Sequence, residues 1–382
     1  MKSGRNWGRL GMKYKLGDVS IINPRETIKK GNIAKKVDMA VLQPFTRKIP
    51  SFELLEYKGG TKFRNGDTIM ARITPCLENG KTSQVSILDD NEIGFGSTEY
   101  IVFRAKEGIS DCNFLYYLVC SDIVRDPAIK SMVGSSGRQR VQTDVIQNLE
   151  IDLPSFETQK QIASILSALD DKIELNNRIN ENLESQAQAI FKSWFVDFEP
   201  FGGVMPEDWK VGSLSDIADV LSGKRPPMKQ NNKTEDVDIP LVGAAAIMGY
   251  TNKFNHDDKI LVIGRVGTHG IVQRFDYPCW TSDNTLVIKS NCYEYIYQIL
   301  KLIDYKAMNR GSTQPLITQG DLKKTEIIIP SKECLQKYED VVGSLMYRYS
   351  QNRIENEKLA LLRDTLLPKL MNGEIDVSKV KI

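Results

Sequence analysis

The side chains best suited to chemistry in this 382-residue sequence lie in loops rich in glycine and hydrogen-bond donors. Lysine, arginine, serine, threonine and backbone amides supply most hydrogen bonds to DNA. Arginine can also bind guanine through two hydrogen bonds, as asparagine or glutamine can bind adenine. Such loops, and His269 within one of them, are equally compatible with simple exposure to solvent. The candidate DNA-contact residues are Arg72, Thr74, Asn79, Lys81, Thr82, Ser97, Thr98, Arg138, Gln139, Arg140, Lys224, Arg225, Arg265, His269, Ser282, Asn284, Arg310, Ser312, Thr313 and Gln314.

The residue inventory argues against a catalytic or metal site. His256 and His269 are the only histidines, and the six cysteines contain no Cys-x-x-Cys pair. The loops at 80–82 and 223–225 resemble P-loop fragments, but Pro75 and Ala218 stand where that motif needs glycine. The sequence also lacks an Asn/Asp-Pro-Pro-aromatic methylation motif and the Pro-Asp of a metal-dependent nuclease core. We therefore predict no catalytic residue and no metal ligand.

Composition indicates a folded protein of more than one domain. Lysine and arginine number 51 against 49 acidic residues, so the total charge says nothing about nucleic acid. No stretch approaches 18 apolar residues, and the start lacks the apolar segment of a signal peptide. With scattered cysteines, these features lead us to expect a cytoplasmic protein.

The sequence contains a long internal repeat. Residues 143–155 resemble residues 319–331, and both segments predict a short strand that ends at Pro-Ser. The triplet Asn-Arg-Ile follows at 177–179 and again at 352–354, at nearly the same distance from each Pro-Ser. The looser matches pair residues 135–139 with 311–315 and residues 14–19 with 212–217.

A long helix is predicted after each Pro-Ser. Apolar residues spaced by threes and fours indicate helices over about 158–195 and about 333–370, and Asn372-Gly373 is a stop signal for the second. Asn176 and Asn180 interrupt the apolar stripe of the first helix. A single stripe of this kind would fit a helix packed on its own domain, whereas two matched stripes favour pairing with each other.

The order of these elements predicts the architecture. The first helix delivers the chain to the second block, and the second helix can return alongside it, which makes an antiparallel coiled-coil pair. Helices of roughly 35–40 residues span about 50–60 Å. DNA sites on one face of the duplex repeat at about 34–36 Å. We therefore expect an α+β protein in which paired helices separate two similar blocks, as a ruler for two half-sites.

Several motifs resemble one known family. Leu-Asn-Asn-Arg-Ile-Asn-Glu-Asn-Leu at 175–183 and Ala-Ile-Phe-Lys-Ser-Trp-Phe-Val-Asp-Phe-Glu-Pro at 189–200 resemble the central conserved region of type I restriction-modification specificity (S) subunits. Further motifs resemble the second target-recognition domain, the C-terminal conserved helix and one recurrent subtype of recognition domain. These motifs occupy residues 205–209 with 214–218, residues 361–370 with 373–375, and residues 73–82 with 94–99.

The resemblance implies a non-catalytic subunit that reads a split DNA target. Each of two mixed α/β target-recognition domains would read one part, while the paired helices would set the spacer and dock methyltransferase (M) subunits. Those M subunits would use S-adenosylmethionine, and a separate restriction motor-nuclease (R) subunit would use ATP and Mg. The chain itself is expected to hold no cofactor, and its role would be DNA methylation and defence against foreign DNA.

The resemblance and the repeat together predict the domain boundaries. They divide the chain into an N-terminal tail, 1–12, a first recognition domain, 13–155, a central conserved helix, 156–200, a second recognition domain, 201–331, and a C-terminal conserved helix, 332–382. Whether translation starts at Met1 or at Met12 stays open. The helix faces are expected both to pack on each other and to bind partners. The candidate partner-binding residues are Asn177, Arg178, Asn352, Arg353, Trp194 and Phe195, although core packing against the start of the second block is favoured for the last two.

Two other functions remain as alternatives. A coiled-coil scaffold that binds only proteins would keep the helices but leave the donor-rich loops without use. A self-contained nuclease or methyltransferase would need catalytic motifs that the sequence lacks.

Overall fold

The computed structural model describes residues 12–266, 270–308 and 316–377. The chain divides into two units, the first made of Met1–Asn177 with Arg353–Ile382 and the second of Arg178–Asn352. Each unit combines sheets and short helices with a segment of each long helix. The predicted α+β class is therefore confirmed.

The first unit consists of short strands, short helices and the adjoining segments of the long helices. Its strands are β1 (Met12–Lys15), β2 (Ser20–Ile22), β3 (Ile33–Val37), β4 (Glu53–Glu56), β5 (Thr61–Phe63), β6 (Thr68–Ala71), β7 (Thr82–Gln84), β8 (Gly94–Gly96), β9 (Tyr100–Ala105) and β10 (Glu150–Leu153). Its short helices are α1 (Leu16–Val19), α2 (Cys112–Cys120), α3 (Asp122–Lys130) and α4 (Thr143–Gln147).

The strands of the first unit form distinct sheets. One sheet has the order β2-β9-β6-β7 with antiparallel neighbours. Another has the order β4-β3-β8-β5, in which β3 and β8 are parallel. Strand β1 pairs with β10, which ties the start of the unit to the strand that precedes the first long helix. Every residue of β6 is buried, as expected for a strand covered on both faces.

Helix α2 fills the core of the first unit. It starts at Asp111, whose carboxylate accepts a hydrogen bond from the Phe114 amide at 2.9 Å and so caps the helix. The helix is apolar around its circumference, and its residues from Phe114 to Val119 are buried. Ile162 and Leu166 of the first long helix belong to the same core. The recognition block and the helix therefore share one hydrophobic interior.

The first long helix is α5 (Phe156–Phe195), and the second, α8 (Lys332–Met371), follows the second block. The strands between them are β11 (Lys210–Ser213), β12 (Asp219–Ser222), β13 (Ile239–Val242), β14 (Ile247–Thr251), β15 (Ile260–Gly264), β16 (Gln273–Phe275), β17 (Trp280–Thr281), β18 (Thr285–Lys289) and β19 (Glu326–Ile329). The short helices between them are α6 (Tyr293–Leu302) and α7 (Gln319–Lys323), with single 3-10 turns at Glu199–Phe201 and Leu214–Asp216.

The second unit repeats the topology of the first. Its sheet β12-β18-β15-β16 matches β2-β9-β6-β7, and its sheet β14-β13-β17 again contains one parallel pair, β13 with β17. Strand β11 pairs with β19 as β1 pairs with β10. The openings match too, because the amides of Lys15 and Ser213 donate to the carboxylates of Asp18 and Asp216 respectively. The predicted internal repeat is confirmed.

The serine of each Pro-Ser caps a long helix. The Ser155 hydroxyl accepts from the Thr158 amide at 3.2 Å, and the Ser331 hydroxyl accepts from the Cys334 amide at 3.4 Å. Each helix starts directly after its serine and has 40 residues. The helices therefore begin one or two residues before the predicted starts near 158 and 333, because the apolar periodicity does not extend into the capped first turn.

Asparagines pair the two helices inside each unit. In the first unit, the Asn176 amide donates to Asn356 Oδ1 at 2.9 Å, and in the second, the Asn352 amide donates to Asn180 Oδ1 at 2.9 Å. Asn176 and Asn352 occupy the same position in their respective helices, as do Asn180 and Asn356. A polar pair within an apolar seam specifies the register of paired helices at a cost in stability. The asparagines that interrupt the predicted stripe are therefore part of the seam.

A buried ionic group joins the core of the first unit to both helices. Asp170 of α5 accepts from Arg363 Nη1 of α8 at 2.7 Å and from the Tyr117 hydroxyl at 2.7 Å. The side chains of Asp170 and Arg363 are 4% and 10% exposed. In the first unit, Arg363 thus lies opposite Asp170 while Asn356 lies opposite Asn176, so the helix segments are antiparallel as predicted.

Two further expectations concern the start of the chain and membrane-spanning helices. Met12 belongs to β1, whereas residues 1–11 of the predicted tail lie outside the described residues, so the domain boundaries stay a prediction. Within the described ranges, no helix has both the length and the apolar character needed to cross a membrane.

Removing one partner of the buried ion pair is expected to destabilise the protein strongly. Arg363→Met leaves the Asp170 carboxylate buried without its cation, which costs about 3–5 kcal/mol. Replacing the whole group by Tyr117→Phe, Asp170→Leu and Arg363→Met should recover most of the loss. Urea unfolding followed by circular dichroism measures both effects.

The exposed Lys337–Glu333 pair in α8 provides the control. Lys337→Met also removes a cation from an ion pair, but solvent compensates for the loss, so the urea midpoint should hardly change. An Arg363→Met protein as stable as the Lys337→Met protein would show that the buried pair does not hold this core together.

Candidate nucleic-acid interface

Three segments of the first unit meet at the end of β6. The Arg72 amide donates to the Glu99 carbonyl at 2.9 Å, and the Arg72 carbonyl accepts from the Val141 amide at 2.8 Å. The Thr74 amide donates to the Gln139 carbonyl at 3.0 Å. We call residues 72–74, 97–99 and 138–141 the first loop cluster. It brings together the predicted residues Arg72, Thr74, Ser97, Thr98, Arg138, Gln139 and Arg140.

A carboxylate organises the charges of this cluster. Arg140 Nε lies 3.0 Å from both carboxylate oxygens of Glu99, and Arg140 Nη2 donates to Oε1 at 2.7 Å. Arg72 Nε lies 4.0 Å from the same carboxylate. The hydrogen bond from Arg140 lowers the pKa of Glu99, and Glu99 in turn raises the pKa of Arg140. Glu99 therefore stays charged and holds Arg140 at the rim of the cluster.

The other predicted residues of the first unit differ in solvent exposure and in the hydrogen bonds of their side chains. Thr98, Arg138 and Asn79 are exposed, with Asn79 in the turn between β6 and β7. The Thr74 hydroxyl donates to the Glu78 carboxylate at 2.9 Å. Lys81 Nζ donates to the Met39 carbonyl at 2.8 Å, which commits its charge to a structural contact.

The second unit has an equivalent arrangement at the end of β15. The Arg265 amide donates to the Asn284 carbonyl at 2.8 Å, and the Arg265 carbonyl accepts from the Ile317 amide at 3.0 Å. The Lys224 amide donates to the Thr281 carbonyl at 2.9 Å, which adds the exposed Lys224 and Arg225. We call residues 223–225, 265–266, 281–285 and 316–317 the second loop cluster.

Two of the predicted contact residues are buried in this structure. Thr82 lies in β7 with 4% of its surface exposed, and Ser282 is 1% exposed. Side chains buried to this extent cannot reach a base edge or a phosphate. The predicted residues His269, Arg310, Ser312, Thr313 and Gln314 lie outside the described residues.

The predicted partner contacts divide in the same way. Phe195 is buried among Trp209, Tyr295 and Tyr338, with ring centroids 4.8–5.6 Å apart, which is the core packing that the sequence also allowed for it. Trp194 is half-buried against the same core.

Asn352 is 1% exposed and donates to Asn180, so its side chain is not accessible to a partner in this structure. Asn177 and Arg178 are exposed, and Arg353 is partly exposed. These three side chains keep their prediction as partner contacts.

Sequence reasoning missed Glu99 as a functional residue. Its partner Arg140 lies 41 residues further along the chain, and no local spacing connects the two. The acidic residue after the Gly-Phe-Gly-Ser-Thr loop is visible in the sequence. Its role depends on the pairing of β6 with β9, which places Glu99 beside Arg72.

The fold and these loops define a class of protein. It is a duplicated α+β protein whose units carry equivalent, donor-rich loop clusters at the ends of central strands, with segments of long helices completing each core. A family model described as type I restriction modification DNA specificity domain matches residues 11–185 and 206–362. The chain therefore belongs to this family of type I restriction-modification specificity subunits, as its motifs indicated.

Individual relatives agree with the family. The chain is 27% identical to the type I restriction enzyme HindI specificity subunit of Haemophilus influenzae, over 82% of this chain and 87% of that protein. It is 28% identical to the MjaIX specificity subunit of Methanocaldococcus jannaschii, over 72% and 71%. The crystal structure of a type I restriction-modification S subunit from M. genitalium has the same fold, with a TM-score of 0.60 at 17% identity over 96% of this chain and 97% of that one.

Gly223 is expected to be essential for the shape of the second loop cluster. An added Cβ would lie 2.0 Å from the Ser282 carbonyl oxygen and 2.5 Å from Thr285 Oγ1, closer than atoms can approach. Gly223→Ala should therefore push residues 223–225 away from Ser282 and Thr285. It should also weaken the hydrogen bond that the Lys224 amide donates to the Thr281 carbonyl. Hydrogen exchange with mass spectrometry should show faster exchange in this loop.

Gly343 in α8 is the matched control, because a Cβ there meets nothing within 4 Å. Gly343→Ala should leave the exchange of the loop unchanged and stabilise the helix by up to about 1 kcal/mol. Equal protection of residues 223–225 in both variants would mean that the close approach at Gly223 does not hold the loop.

Proposed function

We propose that this chain is the DNA-reading subunit of a type I restriction-modification complex and that it recognises a bipartite target. Each unit would read one part through its own loop cluster. The observation that carries the proposal is the equivalent placement of Arg72 and Arg265, each at the end of a central strand and held by the same two backbone hydrogen bonds. A duplicated protein with duplicated clusters fits a target in two parts.

The accessible donors of the two clusters are the proposed DNA contacts. Exposed lysine and arginine side chains suit phosphates, which position a protein on the duplex, while arginine and asparagine near strand ends suit base edges. Binding should therefore weaken as salt concentration rises. The residues that remain as proposed contacts are Arg72, Thr74, Asn79, Ser97, Thr98, Arg138, Gln139, Arg140, Lys224, Arg225, Arg265 and Asn284.

The chemistry is proposed to belong to other subunits. Methyltransferase subunits would bind S-adenosylmethionine, and a motor-nuclease subunit would use ATP and Mg, while this chain carries no catalytic residue. The long helices would set the spacer of the target and dock the methyltransferase. Their accessible residues Asn177, Arg178 and Arg353, together with the 70% exposed Leu361 and the 68% exposed Tyr347, suit a partner surface.

Co-expression of the chain with a methyltransferase subunit should produce one methylation motif. N6-methyladenine mapped across the host genome is expected in a single split sequence, on both strands and with a constant gap. The methyltransferase subunit expressed alone should leave that sequence unmodified, which makes this chain the source of specificity.

Other outcomes would support the alternatives. A stable complex that produces no motif would favour a protein-binding scaffold without sequence readout. Purified chain that nicks or methylates DNA by itself would establish a self-contained enzyme.

A further inference from the structure

Arg72 and Arg265 occupy the same place in the two units. Each is the first residue after a central strand, β6 or β15. The backbone amide of each arginine donates a hydrogen bond to a neighbouring loop, and its carbonyl accepts one from a later segment. The loop residues that accept from their amides are Glu99 and Asn284. The backbone thus presents two guanidinium groups in equivalent settings.

Both guanidinium groups have an unused donor. Among the residues that the structure describes, neither Arg72 Nε nor Arg265 Nε has a hydrogen-bond partner, although both atoms are buried. A buried donor without a partner is costly in free energy, and native proteins leave few of them. The same feature at the same position in both units indicates that an acceptor arrives from outside or that a neighbour moves to provide one.

A nucleic-acid base satisfies this demand. Guanine presents O6 and N7 side by side in the major groove, and the fork of an arginine is matched to that pair of acceptors. A phosphate also accepts hydrogen bonds, but it carries no sequence information. The side chain of Arg72 is 32% exposed, so its guanidinium group is accessible to such a ligand.

The two settings differ in one respect. In the first unit, the Glu99 carboxylate lies 4.0 Å from Arg72 Nε and also binds Arg140. In the second unit, the corresponding residue is Asn284, and the residue bridged to the strand end is Leu316 instead of Arg140. A fixed carboxylate beside Nε can orient the outer nitrogens of Arg72 toward a base, whereas Asn284, an uncharged residue, stands at the equivalent position beside Arg265.

We propose that Arg72 and Arg265 each recognise a guanine, one in each part of the target, and that Glu99 is a positioning residue that orients Arg72. The inference rests on the proposed function, because it assigns specificity within the two loop clusters. It also assigns different roles to two arginines of one cluster. Arg72 reads a base, whereas Arg140 binds the Glu99 carboxylate and neutralises its charge.

The test selects duplexes from a random-sequence library with the full chain assembled with its methyltransferase subunit. Wild-type complex should enrich a split motif with a guanine in each part. Arg72→Lys keeps the charge but loses the fork, so the preference for guanine should fall about tenfold or more in the first part only. Arg265→Lys should do the same in the second part only, so that each variant has its internal control in the other half.

Glu99→Gln tests the positioning role. It keeps the size of the side chain and retains Arg72. It should reduce the preference for guanine at the same position as Arg72→Lys does, and it should leave the second part of the motif unchanged. The second part of the motif is the internal control, because Asn284 stands there at the position of Glu99. Thermal unfolding close to that of the wild type would establish that the variants remain folded.

The possible failures are distinguishable. Wild-type complex without any enriched split motif would overturn the proposed function and this inference with it. A split motif that keeps its base preferences in Arg72→Lys and Arg265→Lys, with only weaker enrichment overall, would show phosphate contacts and overturn the inference alone. A Glu99→Gln complex with the wild-type motif would remove Glu99 from the proposal.

Discussion

The structure depends on hydrogen bonding between polar side chains buried in the helix seams. Asn176 donates to Asn356 in one unit, and Asn352 donates to Asn180 in the other, each at 2.9 Å. A shift of one residue in either seam would bury amide groups without partners, at a cost of about 1–3 kcal/mol for each. The apolar stripes alone would tolerate several alignments, so the asparagines select one register within each unit.

Each recognition block is attached to its helix segments through a shared core. In the first unit, Asp170 and Arg363 form an ion pair inside that core. In the second unit, the same two helix positions are held by Met346 and Ala187, both buried in an apolar core. The two units therefore share a topology but have different interiors.

The loop clusters follow from the same topology. Antiparallel neighbours place the residue after one central strand beside the residue before the next, which is why Arg72 meets Glu99 and Arg265 meets Asn284. Glycines permit the close approaches that these loops need, as at Gly223. Side chains at such positions can vary in charge without disturbing the sheets. This separation of a constant frame from variable loop residues suits a protein whose units read different sequences.

The long helices, the internal repeat and the family were predictable from the sequence because each depends on patterns local to the chain. The apolar periodicity, the repeated Pro-Ser and the Asn-Arg-Ile triplets lie within short segments, and their physical meaning does not require knowledge of distant residues. The donor-rich loops were visible for the same reason. Residue type and spacing thus determined the fold class and the location of most candidate contacts.

The tertiary structure decided which of those candidates can act. Thr82 and Ser282 have suitable hydroxyls but are buried, Lys81 is committed to the Met39 carbonyl, and Phe195 belongs to a core. Glu99 gains its role only because strand pairing brings it to Arg72 and Arg140. Burial and pairing between residues distant in the chain arise from the packing of the whole unit, and no local pattern of residues encodes them.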